Sequence, residues 1–192
     1  MEYSYEIKIP KERVAVLIGT KGETKKQLEQ LAKTKLTIDS DEGDVTISGE
    51  DAINLYATKE IVRAIGRGFN PEVAKLLIKQ DYGFELVNIA DWAKTKEEME
   101  RLRGRVIGEG GKSRKLIEEL TETSICVYGK TVGIIGQVEM LPLAKRAVES
   151  LLSGSRHANV YKWLEKRRKE VKRAIFEQKL GEDLFKKSKK EE

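Results

Sequence analysis

With 192 residues, 39% of them apolar, the chain is long enough to build one large domain or two small ones around packed cores. It holds no apolar run of about 18 residues, and its N-terminus, MEYSYEIKIPKERV, has no basic stretch followed by an apolar one, so neither a membrane segment nor a signal peptide is expected. The single cysteine, Cys126, rules out an internal disulfide and cysteine-rich zinc modules, and the net charge of +5 leans toward a polyanionic partner; a soluble, cytoplasmic protein is the expectation.

In chain order, Tyr5–Ile9 alternates as YEIKI, the pattern of a half-buried strand, and Pro10 ends it. Lys11–Ile18 reads as a short helix stopped at Gly19. Glu23–Lys33 places Leu28, Leu31 and Ala32 at helical spacing. KLTID and VTISG are alternating strands joined by the turn-forming SDEGD. Asp51–Ile65 is a closing helix with Ala52, Leu55, Ile61 and Ile65 broadly on one side. Asn70–Gln80 reads as a connecting helix. The cycle then recurs: the strand FELVNI, a helix around Glu97–Leu102, the loop GEGG, a helix over Lys112–Glu122, the strands SICVY and TVGIIG, and a helix over Val138–Leu152.

That recurrence is visible residue by residue. An offset of 89 brings Gly19 onto Gly108, Gly22 onto Gly111, Leu28 onto Ile117, Leu31 onto Leu120, Leu36 onto Ile125 and Ile38 onto Val127. After a loop two residues shorter in the second copy, Val45, Ile47 and Gly49 fall on Val132, Ile134 and Gly136, and Ala57 and Ile61 on Ala144 and Val148. One G-x-x-G between helices is often only a tight turn. An ordered set of matches across a whole unit indicates duplication.

Glycine in such a loop permits positive φ and removes the Cβ that would block a close ligand. The helix that follows offers unpaired N–H groups and the positive end of its dipole to phosphate. The order strand, helix, I-G-x-x-G, helix, strand, strand, helix resembles the KH module of RNA-binding proteins in its type I form. The resemblance implies an α+β fold of two type I KH domains (β-α-α-β-β-α) in tandem plus a C-terminal basic helix. It also implies a clamp on the backbone of about four single-stranded nucleotides. The expected floor for the bases is Val106, Ile107, Ile125 and Val127 in the second copy, with Leu17, Ile18, Leu36 and Ile38 as counterparts in the first.

The principal clamp is expected at Arg105, Ile107, Gly108, Glu109, Gly110, Gly111, Lys112, Ser113, Arg114, Lys115 and Val127, with Arg103 nearby. A secondary clamp, or a packing and protein-contact surface, is expected at Gly19, Thr20, Lys21, Gly22, Lys25 and Lys26, near Arg13. The second copy is favoured on charge, although Glu109 works against phosphate. The expected division of the chain is 1–68 and 83–154 for the two modules, 69–82 for the connection, 155–185 for the basic helix and 186–192 for a disordered tail.

The stretches IVRAIGRGFNPEVAKLLIKQDYGFELVNIADW, RLRGRVIGEGGKSRKLIEELTETSICVYGKTVGIIG and LPLAKRAVESLLSGSRHANVYKWLEKRR resemble a ribosome-assembly family with two KH domains, particularly its archaeal branch. Eukaryotic members include the partner of the Nob-one endonuclease. The similarity covers roughly residues 5 to 170. It implies a non-enzymatic factor bound near the 3′ end of small-subunit ribosomal RNA during pre-rRNA processing and subunit maturation. A maturation endonuclease and a translation initiation factor are the protein partners it raises. A KH-fold scaffold that recruits such proteins with little RNA contact is the alternative.

The remaining candidates carry less. Asp39–Glu50 places Asp39, Asp41 and Glu50 at calcium-loop spacing, but Asp44 occupies the required glycine position and the flanks are strands, so a solvated hairpin turn is expected and no metal. His157 is the single histidine and has no nucleophile motif beside it. No Walker motif, catalytic residue or cofactor site is read. Cys126 lies in the apolar alternation SICVYG, as a structural thiol does. Residues 156–192 carry 13 Lys and Arg against 7 Asp and Glu, while residues 1–155 carry 24 against 25, so the positive balance sits at the C-terminus. There Tyr161, Leu164, Val171 and Ile175 form an apolar stripe that is expected to dock on the body. Lys162, Lys166, Arg167, Lys169, Lys172 and Arg173 lie largely off it, placed for RNA phosphates or for solubility alone.

Overall fold

The computed structural model describes residues 3–188, and one order of elements occurs twice before a long final helix. The first unit runs β1 (Tyr3–Lys8), α1 (Lys11–Ile18), α2 (Glu23–Ala32), β2 (Lys35–Ile38), β3 (Asp44–Gly49) and α3 (Ala52–Gly66). A connection follows, made of α4 (Pro71–Ala74) and a 3-10 turn over Lys75–Ile78. The second unit runs β4 (Tyr82–Asn88), α5 (Lys96–Ile107), α6 (Lys112–Thr121), β5 (Ser124–Tyr128), β6 (Thr131–Gln137) and α7 (Leu141–Leu152), and α8 spans His157–Ser188. The sheets are antiparallel, ordered β1-β3-β2 and β4-β6-β5, so the last strand of each unit is central.

Local chemistry sets the helix ends. Asp51 accepts from the Ile53 N–H at 2.8 Å and starts α3. Thr95 caps α5 by accepting from the Glu98 N–H, and the Glu98 carboxylate reaches back to the N–H of Lys94, the residue before the cap, at 2.8 Å. Helix α7 begins at Leu141 rather than Val138, because Pro142 occupies a first-turn position that needs no donor. The single connecting helix expected over Asn70–Gln80 is instead one α turn capped by Asn70 and then a 3-10 turn. Three residues per turn puts Ala74 and Leu77 on one side, and both are buried in the first core. Helix α8 takes in Lys186–Ser188, the start of the expected tail, and residues 189–192 lie outside the described residues.

Leu17, Leu28, Leu36, Ile47, Leu55 and Ile61 anchor the first core. Val106, Ile117, Ile125, Ile134, Val148 and Leu151 anchor the second, joined by Val160 and Leu164 of α8. The two sheets differ on their outer faces. On the first, Ser4, Ser48 and Lys35, then Glu6, Thr46 and Thr37, stand in register as a polar face. On the second, Phe84, Ile135 and Ser124, then Leu86, Gly133 and Cys126, stand in register as a mainly apolar face, with Ser124 at its edge and no side chain at Gly133.

That second outer face is covered by the first unit. Ile135 is buried in the first unit's core, and Phe84 and Cys126 pack against it. Phe69 meets Phe84 edge-on with ring centroids 5.8 Å apart. A Cβ on Gly133 would fall 2.6 Å from the Phe69 ring, and one on Gly68 would fall 2.8 Å from the Cys126 Sγ. Across the seam the Tyr128 hydroxyl donates to Glu12. Strand β6 is therefore buried continuously from Val132 to Gly136, as a strand covered on both faces must be, whereas β3 alternates.

Candidate nucleic-acid interface

Each helix pair is joined by the four residues after an isoleucine: Gly19–Gly22 between α1 and α2, and Gly108–Gly111 between α5 and α6. The two loops share one backbone path. The first residue has φ 73° at Gly19 and 74° at Gly108; the third has 53° at Lys21 and 57° at Gly110; the fourth has 77° at Gly22 and 78° at Gly111. The glycines do different work. A Cβ on Gly108 would sit 2.7 Å from the Ser113 nitrogen, and one on Gly19 would sit 2.8 Å from the Thr24 nitrogen, so the first glycine lets the loop fold onto the next helix. A Cβ on Gly22, Gly110 or Gly111 would meet nothing within 4 Å. These positions face open space where another chain can approach the backbone.

Neither α2 nor α6 has a side-chain cap; the Glu23 and Lys112 N–H groups donate to the Thr20 and Glu109 carbonyls of the loops, and the positive end of each helix dipole faces its loop. Beside each loop runs an edge strand, held by a repeated device. Glu118 Oε1 accepts from the Ile125 N–H at 2.7 Å, and Arg114 bonds both that carboxylate and the Ile125 carbonyl. In the first unit Glu29 accepts from the Leu36 N–H at 2.8 Å, with Lys25 4.0 Å away. The carboxylate draws each edge strand toward the helix that carries the loop.

Not every expected residue is free to meet a ligand. Val106, Ile125, Leu17 and Leu36 belong to the cores, which removes them from the expected floor; Ile107, Val127, Ile18 and Ile38 remain half-buried beside the loops. Arg105 donates to the Leu151 and Ser155 carbonyls at 3.0 and 2.6 Å, and Arg13 to those of Ile65 and Phe69 at 2.8 and 2.7 Å. Both arginines close the C-terminal ends of neighbouring helices. Ser113 is buried at 3% exposure. Thr20, Lys21, Lys26, Glu109, Gly110, Lys112 and Lys115 are exposed, and Lys25 is half-buried.

Further cations lie at the other end of the second groove. Lys94, Lys96, Arg103 and Lys130 border a concavity of about 530 Å³ between the start of α5 and the β5–β6 turn. Sequence reasoning passed over three of them; the signal was the pair Lys94 and Lys96 just ahead of a helix that follows the strand. On α8, Val160 and Leu164 are buried, with Tyr161 and Val171 packed against the same core. Arg168 and Lys172 pair with Glu122, and Arg167 and Arg173 pair with Glu170 and Glu177. Lys166 and Lys169 are exposed and make no ion pair among the described residues.

The acidic turn folds on itself: Asp39 Oδ1 accepts from the Glu42 and Asp41 N–H groups, which holds its carboxyl below the ordinary range. Among the described residues no group of three His, Cys, Asp or Glu is placed to hold a metal ion, and no helix is long and apolar enough to cross a membrane. The Cys126 thiol lies at the seam, and burial pushes its pKa up.

Comparison with known proteins agrees with this architecture. Residues 83–169 match the family model described as a eukaryotic-type KH domain (KH-domain type I), and residues 4–67 match the general KH-domain model. The KH domain-containing protein MJ0443 of Methanocaldococcus jannaschii is 50% identical over 175 residues, covering 89% of this chain and 77% of that protein. The pre-rRNA-processing protein PNO1 of Chaetomium thermophilum is 31% identical over 119 residues, and the match spans 60% of this chain but only 45% of that protein. A chain in the crystal structure of the a/eIF2alpha–aDim2p–rRNA complex from Pyrococcus horikoshii superposes with a TM-score of 0.83 at 45% identity, over 88% of this chain and 96% of that one.

Proposed function

The chain belongs to the two-KH-domain family that contains archaeal Dim2p and the PNO1 proteins, and from that membership we propose that it binds single-stranded RNA as a non-enzymatic factor in pre-rRNA processing and small-subunit maturation. One observation carries the clamp: Gly110 and Gly111 turn open backbone outward, immediately before an uncapped helix and beside an edge strand. Phosphates lie against the open backbone of Gly110 and Gly111 at the positive end of α6, with Lys112 and Lys115 supplying charge. Bases rest on Ile107 and Val127, and the strand continues toward Arg103, Lys96 and Lys130. Lys166 and Lys169 of α8 add phosphate contacts that carry no sequence information. The first loop has the same backbone with Lys21 and Lys26 in reach and acts as the secondary clamp. The likeness to a chain of the rRNA complex supports ribosomal RNA as the target; the 3′ region of the small-subunit RNA and a cytoplasmic setting are what the family resemblance implies.

The test is the double substitution Glu109→Asp with Gly110→Asp. Asp tolerates the left-handed conformation, nothing lies within 4 Å of a Cβ at Gly110, and Lys21 already occupies the equivalent position. The protein therefore keeps its fold while a second acidic side chain repels the strand. Binding measured by fluorescence anisotropy is expected to disappear, and in the unaltered protein to weaken steeply with salt. Full affinity in the folded variant refutes the clamp.

Exposed apolar side chains on the first unit, Leu31, Ile53 and Tyr56, favour protein contact there in addition. A translation initiation factor or a maturation endonuclease is the partner the family suggests. Capture that survives ribonuclease treatment tests it.

A further inference from the structure

The second loop has another side. Between α5, the loop, the first turn of α6 and the start of α8 lies a concavity of about 450 Å³. Among its lining residues are Arg101, Glu109, Lys112, Ser113, His157 and Tyr161; no residue of β5 contributes, so it is distinct from the floor of Ile107 and Val127. The cleft exists only because α8 packs beside the module.

Three observations point to a ligand. Ser113 is buried at 3% exposure, yet its hydroxyl has no hydrogen-bond partner, an unmet demand that native interiors rarely tolerate. Arg101 and Lys112 are exposed and make no ion pair among the described residues, so the cleft holds two free cations against the one carboxylate of Glu109. Tyr161 is half-buried beside His157, with ring centroids 6.0 Å apart and planes inclined by 58°. His157 Nε2 lies 2.8 Å from the Arg105 carbonyl, which fixes the imidazole against α5.

We propose that this cleft is a nucleotide subsite: a strand leaving the Gly108–Gly111 loop turns into it, placing one phosphate near Arg101, Lys112 and the Ser113 hydroxyl and one base on the Tyr161 ring. The proposal rests on the clamp described above and extends it onto α8. Aromatic stacking tolerates any base, and the two cations neutralise the added phosphate.

The test compares the full chain with Arg101→Ala and Tyr161→Ala, each checked for folding by circular dichroism. The probes are fluorescent RNAs of small-subunit 3′-terminal sequence. One has about four nucleotides, which the loop accommodates alone; two others are extended by about three nucleotides at the 5′ or the 3′ end, enough to reach one further stacking site. Extension at one end is expected to tighten binding on the order of ten-fold. Both variants lose that gain while holding the short RNA as the unaltered protein does. Tyr161→Phe retains it, because stacking uses the ring and not the hydroxyl. The subsite is overturned if neither extension tightens binding, or if Arg101→Ala and Tyr161→Ala bind the extended RNA as tightly as the unaltered chain. Failure of the unaltered chain to bind the short RNA defeats the clamp itself, and the subsite with it.

Discussion

Gly108 and Gly111 have nearly the same φ, 74° and 78°, but their surroundings separate their roles. At Gly108 a methyl group meets the backbone nitrogen and Cβ of Ser113 at 2.7 and 2.6 Å, so a substitution there combines left-handed strain with overlap that cannot relax. Gly108→Ala is expected to cost about 3 kcal/mol of stability. Gly111→Ala carries the conformational penalty alone, about 1 kcal/mol, while its methyl group occupies the space assigned to RNA. Urea denaturation and RNA titration of both variants should give opposite patterns, the first losing stability most and the second losing affinity most. The G-x-x-G spacing marked both glycines as loop residues in the sequence. Which one serves the fold and which the ligand depends on Ser113, and no spacing rule reveals that.

Among the helices, α8 is the element whose role rests most on tertiary context. Glu122 ends α6 in the left-handed conformation at φ 53° and receives Lys172 and Arg168 from α8. The hydrogen bond from Lys172 is the main cause holding the Glu122 carboxyl below its ordinary range, with burial opposing it. A folded-state pKa below the unfolded one means that this contribution is complete at neutral pH and is lost as pH falls through the carboxylate range. Trp163 of α8 stacks near Arg146 of α7, 5.2 Å from the ring, and reports the docking. In a Trp92→Phe background its fluorescence is expected to shift on acidification, with Glu122→Gln showing part of that shift already at neutral pH. The apolar stripe on α8 was legible from Tyr161, Leu164 and Val171. The asymmetry it creates was not: Leu31 and Leu120 are equivalent in the repeat, yet Leu31 is 47% exposed and Leu120 9%, because α8 packs beside α6 and nothing comparable covers α2. A duplicated sequence predicts equal burial; an appended helix breaks the equality.

At the scale of the molecule, the first unit serves as the cover of the second unit's sheet. Gly68 has φ 97° and passes 2.8 Å above the Cys126 sulfur and 3.0 Å from Tyr128, measured to where its Cβ would be. Gly68→Ala is expected to destabilise the protein by about 2 kcal/mol and to split a single calorimetric unfolding transition into two, as the units lose their common packing. Two copies of a β-α-α-β-β-α unit could be read from the repeat. Their seam was written in the contrast between VTISG, which alternates, and TVGIIG, which does not, and in Phe84 and Cys126 on the outer face of the second sheet. Read one module at a time, those residues have no partner; with both modules in view, each finds one. The seam also determines how the two loops act together. A flexible tether would let each loop search independently, at an entropic penalty on every double engagement. With Phe69, Phe84 and Ile135 locked into shared packing, and with both loops clamping RNA as proposed, the molecule is expected to act as a fixed gauge: a nucleic acid whose contour matches the distance between the loops would gain both grips almost for the cost of one, and a mismatched one a single grip.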